Sequence, residues 1–166
     1  MALDQNRLLP LNPSARQLAR EIFDTVVHLP IISPHGHTDP RWFAENNQFP
    51  DPSQLFVTPD HYVFRMLFSQ GISLEALGVS PSDGGLLEKD GRAIWRLFAN
   101  NYHLLRATPS NMWLDHSFEY VFRLQEKLSK ETADLYYDHI SECLSTDEFL
   151  PRQLFERFRI EVLSTT

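Results

Sequence analysis

Two histidines separated by one glycine, His35-Gly36-His37, stand at the end of a short apolar run, Leu29-Pro30-Ile31-Ile32-Ser33-Pro34. The run carries two β-branched residues and gives way to a polar loop, which predicts a buried strand over residues 30–34 that delivers side chains at its C-terminal end. Successive residues of an extended chain point to opposite faces. His35 and His37 therefore project the same way, while Gly36 lets the backbone pass close beneath a ligand. Two imidazoles on one side make half a site for a divalent metal. The pattern is short and common, and the bland alternative is a pair of loop histidines hydrogen-bonded to the backbone. Context favours ligation: the pair ends an apolar strand, follows a helix and precedes a helix start, with Asp39 as N-cap and Pro40 at the first helical position.

A second cluster follows. Thr58-Pro59 repeats the cap-then-proline signal and predicts a helix running to Gly71, with His61 and Tyr62 together in its first turn. First-turn groups face whatever the helix N-terminus points toward, and the positive end of the helix dipole suits an anion. Taken alone, the two residues read more simply as a surface histidine and a core-edge tyrosine whose hydroxyl is satisfied.

The elements around these residues are mostly helical. Asn12 and Pro13 open a helix with Ala15, Leu18, Ala19, Ile22, Phe23 and Val26 at helical spacing, a face that must pack on something larger. Residues 40–45 form a short helix, broken in the loop 46–51 by Pro50 and Pro52. The helix after Pro59 is crowded with Val63, Phe64, Met66, Leu67 and Phe68. Residues 73–77 make a one-turn piece closed by Gly78, and residues 79–91, with Pro81, Gly84, Gly85 and Gly91, read as loop. The double glycine is no phosphate-binding loop, because no strand precedes it and no Gly-Lys-Ser/Thr ending follows. A helix from Arg92 presents Ile94, Trp95, Leu97, Phe98, Tyr102 and Leu105. Another from Thr108-Pro109 carries Met112, Trp113, Phe118, Val121 and Phe122. Ser129 is expected to cap a helix over 130–144 with Ala133, Tyr137, Ile140 and Leu144 inward. Such aromatic stripes are core, and His103, His116 and His139 receive no role. After a short helix over 146–158, residues 159–166 form a second strand, so the chain has the form strand, long helical insertion, strand.

Composition narrows the function classes. With 42% hydrophobic and 22% charged residues among 166, the chain has an ordinary globular composition. A net charge of -7 and 15 dispersed Lys and Arg argue against nucleic acid or an anionic membrane as partner. The single cysteine, Cys143, excludes an internal disulfide, fits a reducing compartment, and reads as a small packed residue. No secretory leader or membrane span is legible, so the expected location is the cytoplasm.

The run from Leu29 to Trp42, followed by Thr58-Pro59-Asp60-His61-Tyr62-Val63-Phe64-Arg65-Met66-Leu67, resembles the N-terminal part of the uronate (glucuronate) isomerase family. The resemblance covers essentially the whole chain, including 95–98, Thr108-Pro109-Ser110 and 158–166. Its specific blocks are Pro-His-Gly-His-Thr-Asp-Pro and Asp-His-Tyr. That family is a divergent branch of the amidohydrolase superfamily, whose members carry a His-x-His pair at the end of the first strand of a (β/α)8 TIM barrel. The implied fold class is α/β, the N-terminal portion of such a barrel. It would be mainly helical, with residues 1–41 as first helix and first strand, 42–158 as a helical insertion, and 159–166 as a second, parallel strand. A complete barrel takes about 250 residues, so this length points to an N-terminal fragment of a longer bacterial enzyme, inactive by itself.

The implied reaction is aldose-ketose isomerisation, an intramolecular oxidoreduction that converts D-glucuronate to D-fructuronate and D-galacturonate to D-tagaturonate through a cis-enediol. No redox cofactor is needed. On this resemblance His35 and His37 are the metal ligands, holding a divalent ion that stabilises the enediolate. Zn2+ comes first to mind, although neutral imidazole suits its neighbours alike. Tyr62 transfers the proton at carbon, and His61 holds the substrate carboxylate or a hydroxyl. Arg65, one turn on, is a weaker substrate contact and an aid to ionising a phenol whose ordinary pKa is near 10. Further ligands, including an aspartate after the last strand, would come from beyond Thr166. The expected partner is a small hexuronate, with a homo-oligomer left open. Two other functions remain: a metal-dependent hydrolase of the same superfamily, against which the Asp-His-Tyr block argues, and a non-catalytic helical module with a structural histidine pair.

Overall fold

A computed structural model describes residues 3–80 and 85–165; Pro81 and Gly84 of the expected loop, and Thr166, lie outside them. The described chain is helix-rich α/β and divides into two compact units, residues 48–150 and residues 3–47 with 151–165.

The smaller unit holds the two strands. Helix α1 (Pro13–Val26) begins where the Asn12 side chain accepts a hydrogen bond from the Ala15 N–H, and Pro13 takes the position at which a missing N–H costs nothing. Its apolar stripe is exposed, with Leu18, Ile22 and Phe23 each more than half accessible. Strand β1 (Ile31–Ser33) pairs in parallel with β2 (Ile160–Leu163), matching Ile31 to Ile160, Ile32 to Val162 and Ser33 to Leu163 across one irregularity. The Ser164 N–H donates to the Ser33 carbonyl at 2.9 Å, so the pairing continues past the last strand residue. Helix α2 (Pro40–Glu45) follows, capped by Asp39, and packs on α8 (Pro151–Arg157) through Phe43 and Phe155, whose ring centroids lie 5.6 Å apart. Arg152 fastens the two ends. Its guanidinium donates to the carbonyls of Phe43 and Ala44 at 2.7 and 3.0 Å, and its backbone N–H donates to the Asn46 side chain, thereby satisfying groups that helix termini leave without partners.

The larger unit is helical. It runs through α3 (Pro52–Phe56), α4 (His61–Ser69), α5 (Gly91–Asn100), α6 (Pro109–His116) and α7 (Ala133–Leu144). Its core is aromatic and organised on Phe118, whose ring meets Phe56, Trp95 and Tyr136 edge-on at 5.6, 6.1 and 5.2 Å. Trp95 is fully buried and its indole N–H donates to the Ala133 carbonyl at 2.9 Å, tying α5 to the start of α7.

Several boundaries differ from the sequence expectation. The helix expected from Thr58-Pro59 is capped instead by Asp60, whose carboxylate accepts from the N–H groups of Tyr62 and Val63, while the Thr58 hydroxyl donates to the Leu77 carbonyl at 3.0 Å. The side chains that α4 buries are Val63 and Leu67, and Phe68 is mostly exposed. Residues 52–56, to which the sequence assigned no element, form α3, because Asp51 caps them and Pro52 sits at the helix start rather than inside it. The helix from Arg92 stops at Asn100 and gives way to a 3-10 turn over Tyr102–Leu105, and α6 passes into a π turn over Ser117–Val121. Ser129 caps no helix. It forms a hydrogen-bonded turn with Glu131 and Thr132, and α7 starts at Ala133. The inward tyrosine is Tyr136 rather than Tyr137, whose ring lies under the Arg92 guanidinium at 4.3 Å.

Candidate functional site

β1 ends at Ser33, and the next four residues carry both histidines. Its pleat and the turn beyond bring the two imidazoles together: the Nε2 atoms lie 3.1 Å apart, with ring centroids 5.0 Å apart and planes at 78°. The turn is held by the Ser33 hydroxyl donating to the His35 carbonyl at 3.1 Å. Gly36 lies against the chain that follows β2. A Cβ there would stand 3.3 Å from the Ser164 carbonyl oxygen, so the glycine lets the chain just past β2 come close.

The spacing of the two nitrogens bears directly on metal binding. At a tetrahedral zinc with Zn–N bonds of about 2.0–2.1 Å, two imidazole nitrogens are about 3.3 Å apart. The 3.1 Å found here matches two neighbouring ligand positions. The same 3.1 Å is the length of a hydrogen bond between the two rings, in which the tautomers decide the donor; with both protons on Nδ1, each Nε2 would instead carry a lone pair that a shared cation could take. Among the described residues no group of three or more His, Cys, Asp and Glu side chains that could hold a metal ion comes together, so this pair supplies two donors and no third.

Asp39 lies beside the pair in sequence. Besides capping α2, its carboxylate receives the Arg41 guanidinium at 2.7 and 3.0 Å, and that hydrogen-bonded cation holds its pKa below the usual carboxylate value. The cap was legible from Asp39-Pro40. The ion pair was not, because a two-residue separation does not specify where a long arginine side chain turns.

The second cluster belongs to the 48–150 unit. His61 and Tyr62 open α4 with their ring centroids 4.2 Å apart and planes at 34°, and the Tyr62 side chain is exposed. Arg65 is exposed one turn further along. The first-turn N–H groups are bonded to Asp60, at 2.8 Å from Tyr62 and 3.3 Å from Val63. An anion at this helix start would therefore meet side chains and not bare amides. Sequence reasoning also passed over a polar cleft in the same unit, where the buried Tyr102 hydroxyl donates to Asp115 at 2.7 Å. The signal available was Asn111 and Asp115, four apart on one face of α6.

These observations define a helix-rich α/β protein whose parallel strand delivers two convergent histidines at its C-terminal end. It belongs to the glucuronate isomerase family, whose model matches residues 4–166. The chain is 54% identical to the uronate isomerase of Rhizobium meliloti (strain 1021) over 164 residues, and 56% identical over 166 residues to that of Xanthomonas euvesicatoria pv. vesicatoria (strain 85-10). These matches take in 99% and 100% of this chain and 35% of each relative, so the chain spans about a third of the length of the curated proteins it matches. Among solved structures, glucuronate isomerase from Caulobacter crescentus superimposes with a TM-score of 0.94 at 50% identity, covering 99% of this chain and 34% of the other. Uronate isomerase from Thermotoga maritima does so with a TM-score of 0.83 at 25% identity, covering 99% and 33%.

Proposed function

We propose that this chain forms the histidine-bearing third of an aldose-ketose isomerase acting on hexuronates in bacterial sugar-acid catabolism, interconverting D-glucuronate with D-fructuronate and D-galacturonate with D-tagaturonate. The observation that carries the reading is the 3.1 Å approach of the His35 and His37 Nε2 atoms at the exit of a parallel strand, in a chain of this family. In this reading β1 and β2 are neighbouring strands of an amidohydrolase-type (β/α)8 barrel, and active sites of such barrels lie at the C-terminal ends of the strands.

His35 and His37 would hold a divalent cation, with Zn2+ the first candidate. When bound, the ion would stabilise negative charge on the sugar oxygens as a Lewis acid. The chain's own residues then have separate tasks. Tyr62, exposed at the start of α4, handles the proton moved between the two carbons. Its neighbour His61 donates to the substrate's carboxylate or a hydroxyl, and Arg65 adds a cation one turn along the same helix. Because Asp60 occupies the amides of that turn, the positive groups that an acidic substrate needs are supplied here by side chains. By itself the 166-residue chain is expected to be inactive, since its relatives are about three times as long. No described helix is long and apolar enough to cross a membrane, and a cytoplasmic enzyme fits the reading.

The experiment is a chimera in which residues 4–166 replace the matched third of the Xanthomonas euvesicatoria protein. Turnover of D-glucuronate by the chimera, lost on His35→Ala/His37→Ala, is the expected result. A folded chimera that leaves D-glucuronate and D-galacturonate unchanged would overturn the proposal.

A further inference from the structure

The 48–150 unit contains a cavity of about 460 Å3 between the end of α5, the following 3-10 turn, α6 and the turn at 127–131. That volume falls within the range of small-molecule sites, about 300–1,000 Å3. Its floor is polar and ordered. The Tyr102 hydroxyl donates to Asp115 at 2.7 Å, and Asn111 lines the cavity beside it. Burial raises the Tyr102 pKa, and the bond to Asp115 adds to the shift, so the phenol keeps its proton throughout the physiological range. The far wall is equally fixed: the Thr132 hydroxyl donates to the Lys127 carbonyl at 2.8 Å and accepts from the Ser129 N–H at 2.9 Å.

The rim has the opposite character. Arg106, Lys127 and Lys130 are exposed and line the same cavity. The acids among the lining residues are Asp115, engaged by Tyr102, and Glu131, engaged by the Ser129 hydroxyl at 2.8 Å. Neither Arg106 nor Lys127 takes part in an ion pair among the described residues. In a chain of net charge -7, a cleft lined by three cations and two carboxylates carries a small local excess of positive charge.

We propose that this cleft, separate from the residues assigned to isomerisation, is a binding site for a small hydroxylated carboxylate, its anionic end held by Arg106 and Lys127 and its hydroxyls by Asn111 and Asp115. A guanidinium and an ammonium at the mouth suit a carboxylate, and the carboxylate and amide on the floor suit alcohol groups, which both donate and accept. A simple inorganic anion would leave the floor unused, and a neutral sugar would leave the rim unused.

The test uses D-gluconate and D-sorbitol, two open-chain molecules of the same length that differ in one carboxylate and are not aldoses or ketoses. Amide chemical shifts of the 166-residue chain are followed during titration with each, and with sodium phosphate at equal ionic strength. Gluconate is expected to perturb amides in 99–106, 111–115 and 127–131, with sorbitol and phosphate at least about tenfold weaker. Arg106→Gln/Lys127→Gln should weaken gluconate by roughly tenfold, the size expected for two exposed charge contacts. Both residues are exposed, and the unchanged remainder of the spectrum reports that the variant is folded. The proposal is overturned if the cleft amides do not respond to gluconate, if sorbitol or phosphate matches it, or if the double variant binds as the parent does. His61→Asn should leave the titration unchanged, which keeps this site distinguishable from the one proposed for isomerisation.

Discussion

Gly91 and Asp51 approach so closely that a Cβ on the glycine would stand 2.8 Å from all three atoms of the aspartate carboxyl group. The contact joins two helix starts, since Asp51 caps α3 through the N–H groups of Ser53 and Gln54 while Gly91 is the first residue of α5. The buried Ser53 hydroxyl closes the junction by donating to the Gly91 carbonyl at 2.6 Å.

Gly91→Ala should therefore destabilise the 48–150 unit by about 1–3 kcal/mol, the usual cost of forcing extra atoms into a packed site. Gly71→Ala makes a useful comparison. Gly71 has φ +89° with nothing within 4 Å of an added Cβ, so only backbone strain of about 1 kcal/mol is expected there. Urea unfolding followed by tryptophan fluorescence measures both, and an alanine at 91 that costs no more than one at 71 would contradict the packing argument.

Trp95→Phe removes the indole donor to the Ala133 carbonyl while keeping an aromatic ring against Phe118. The expected loss is about 1–3 kcal/mol, from the buried polar partner and the smaller ring together. Trp95→Ala should cost about 3–5 kcal/mol. Equal effects of the two variants in denaturant unfolding would show that the hydrogen bond, rather than packing, dominates.

In the chimera, His35→Ala/His37→Ala should lower bound divalent ion as well as turnover, because the two imidazoles are proposed as ligands. In the 166-residue chain alone the same change should alter zinc binding little, since two donors make a weak site. Metal content by elemental analysis decides the matter, and an unaltered content in the chimera would refute the assignment.

In the same chimera, Tyr62 and His61 should separate kinetically. Tyr62→Phe keeps the ring beside His61 and removes the ionisable hydroxyl, so kcat should fall by about 10²–10⁴-fold with little change in KM. His61→Asn should mainly raise KM, as expected for a contact made in both ground and transition states. Neither is among the residues α4 buries, Val63 and Leu67, so both variants should fold. A larger isotope effect with C2-deuterated glucuronate in Tyr62→Phe would mark the slowed proton transfer. Wild-type turnover by that variant would assign the proton to another residue.

The alkaline limb of stability should carry the signature of Tyr102. Burial raises its pKa above the ordinary value near 10, with the hydrogen bond to Asp115 as the second cause. Above that value the unfolded chain releases a proton that the folded chain keeps. The stabilising contribution is thus complete below about pH 10 and is lost as pH rises further. Tyr102→Phe should flatten the fall in unfolding free energy between pH 9 and 11, measured by urea titration. An unchanged slope would show that the buried phenol does not govern this limb.

How much of this protein can be read from residue order depends on the range of the forces involved. The paired runs Ile31-Ile32 and Ile160-Val162 are joined by a long helical connection, which a parallel pair requires, and the two strands do pair in parallel. Asn12 and Asp39 announce their helices through contacts two or three residues away. The convergence of His35 and His37 is not settled by the two-residue period of a strand, because β1 ends at Ser33 and a turn held by the Ser33 hydroxyl carries both histidines. Where two distant groups compete for one atom, local pattern gives no answer. Thr58 looks like a cap beside Pro59, but its hydroxyl goes to Leu77, nineteen residues on, and Asp60 takes the helix. Tyr136 and Tyr137 are equally aromatic, and only the packing of Phe118 against α7 decides which one is buried. The cleft around Tyr102, Asp115 and Arg106 is of the same kind. Its walls are three segments, 99–106, 111–115 and 127–131, and although Asn111 and Asp115 share a face of α6, their separate sequences do not say which segments meet around them.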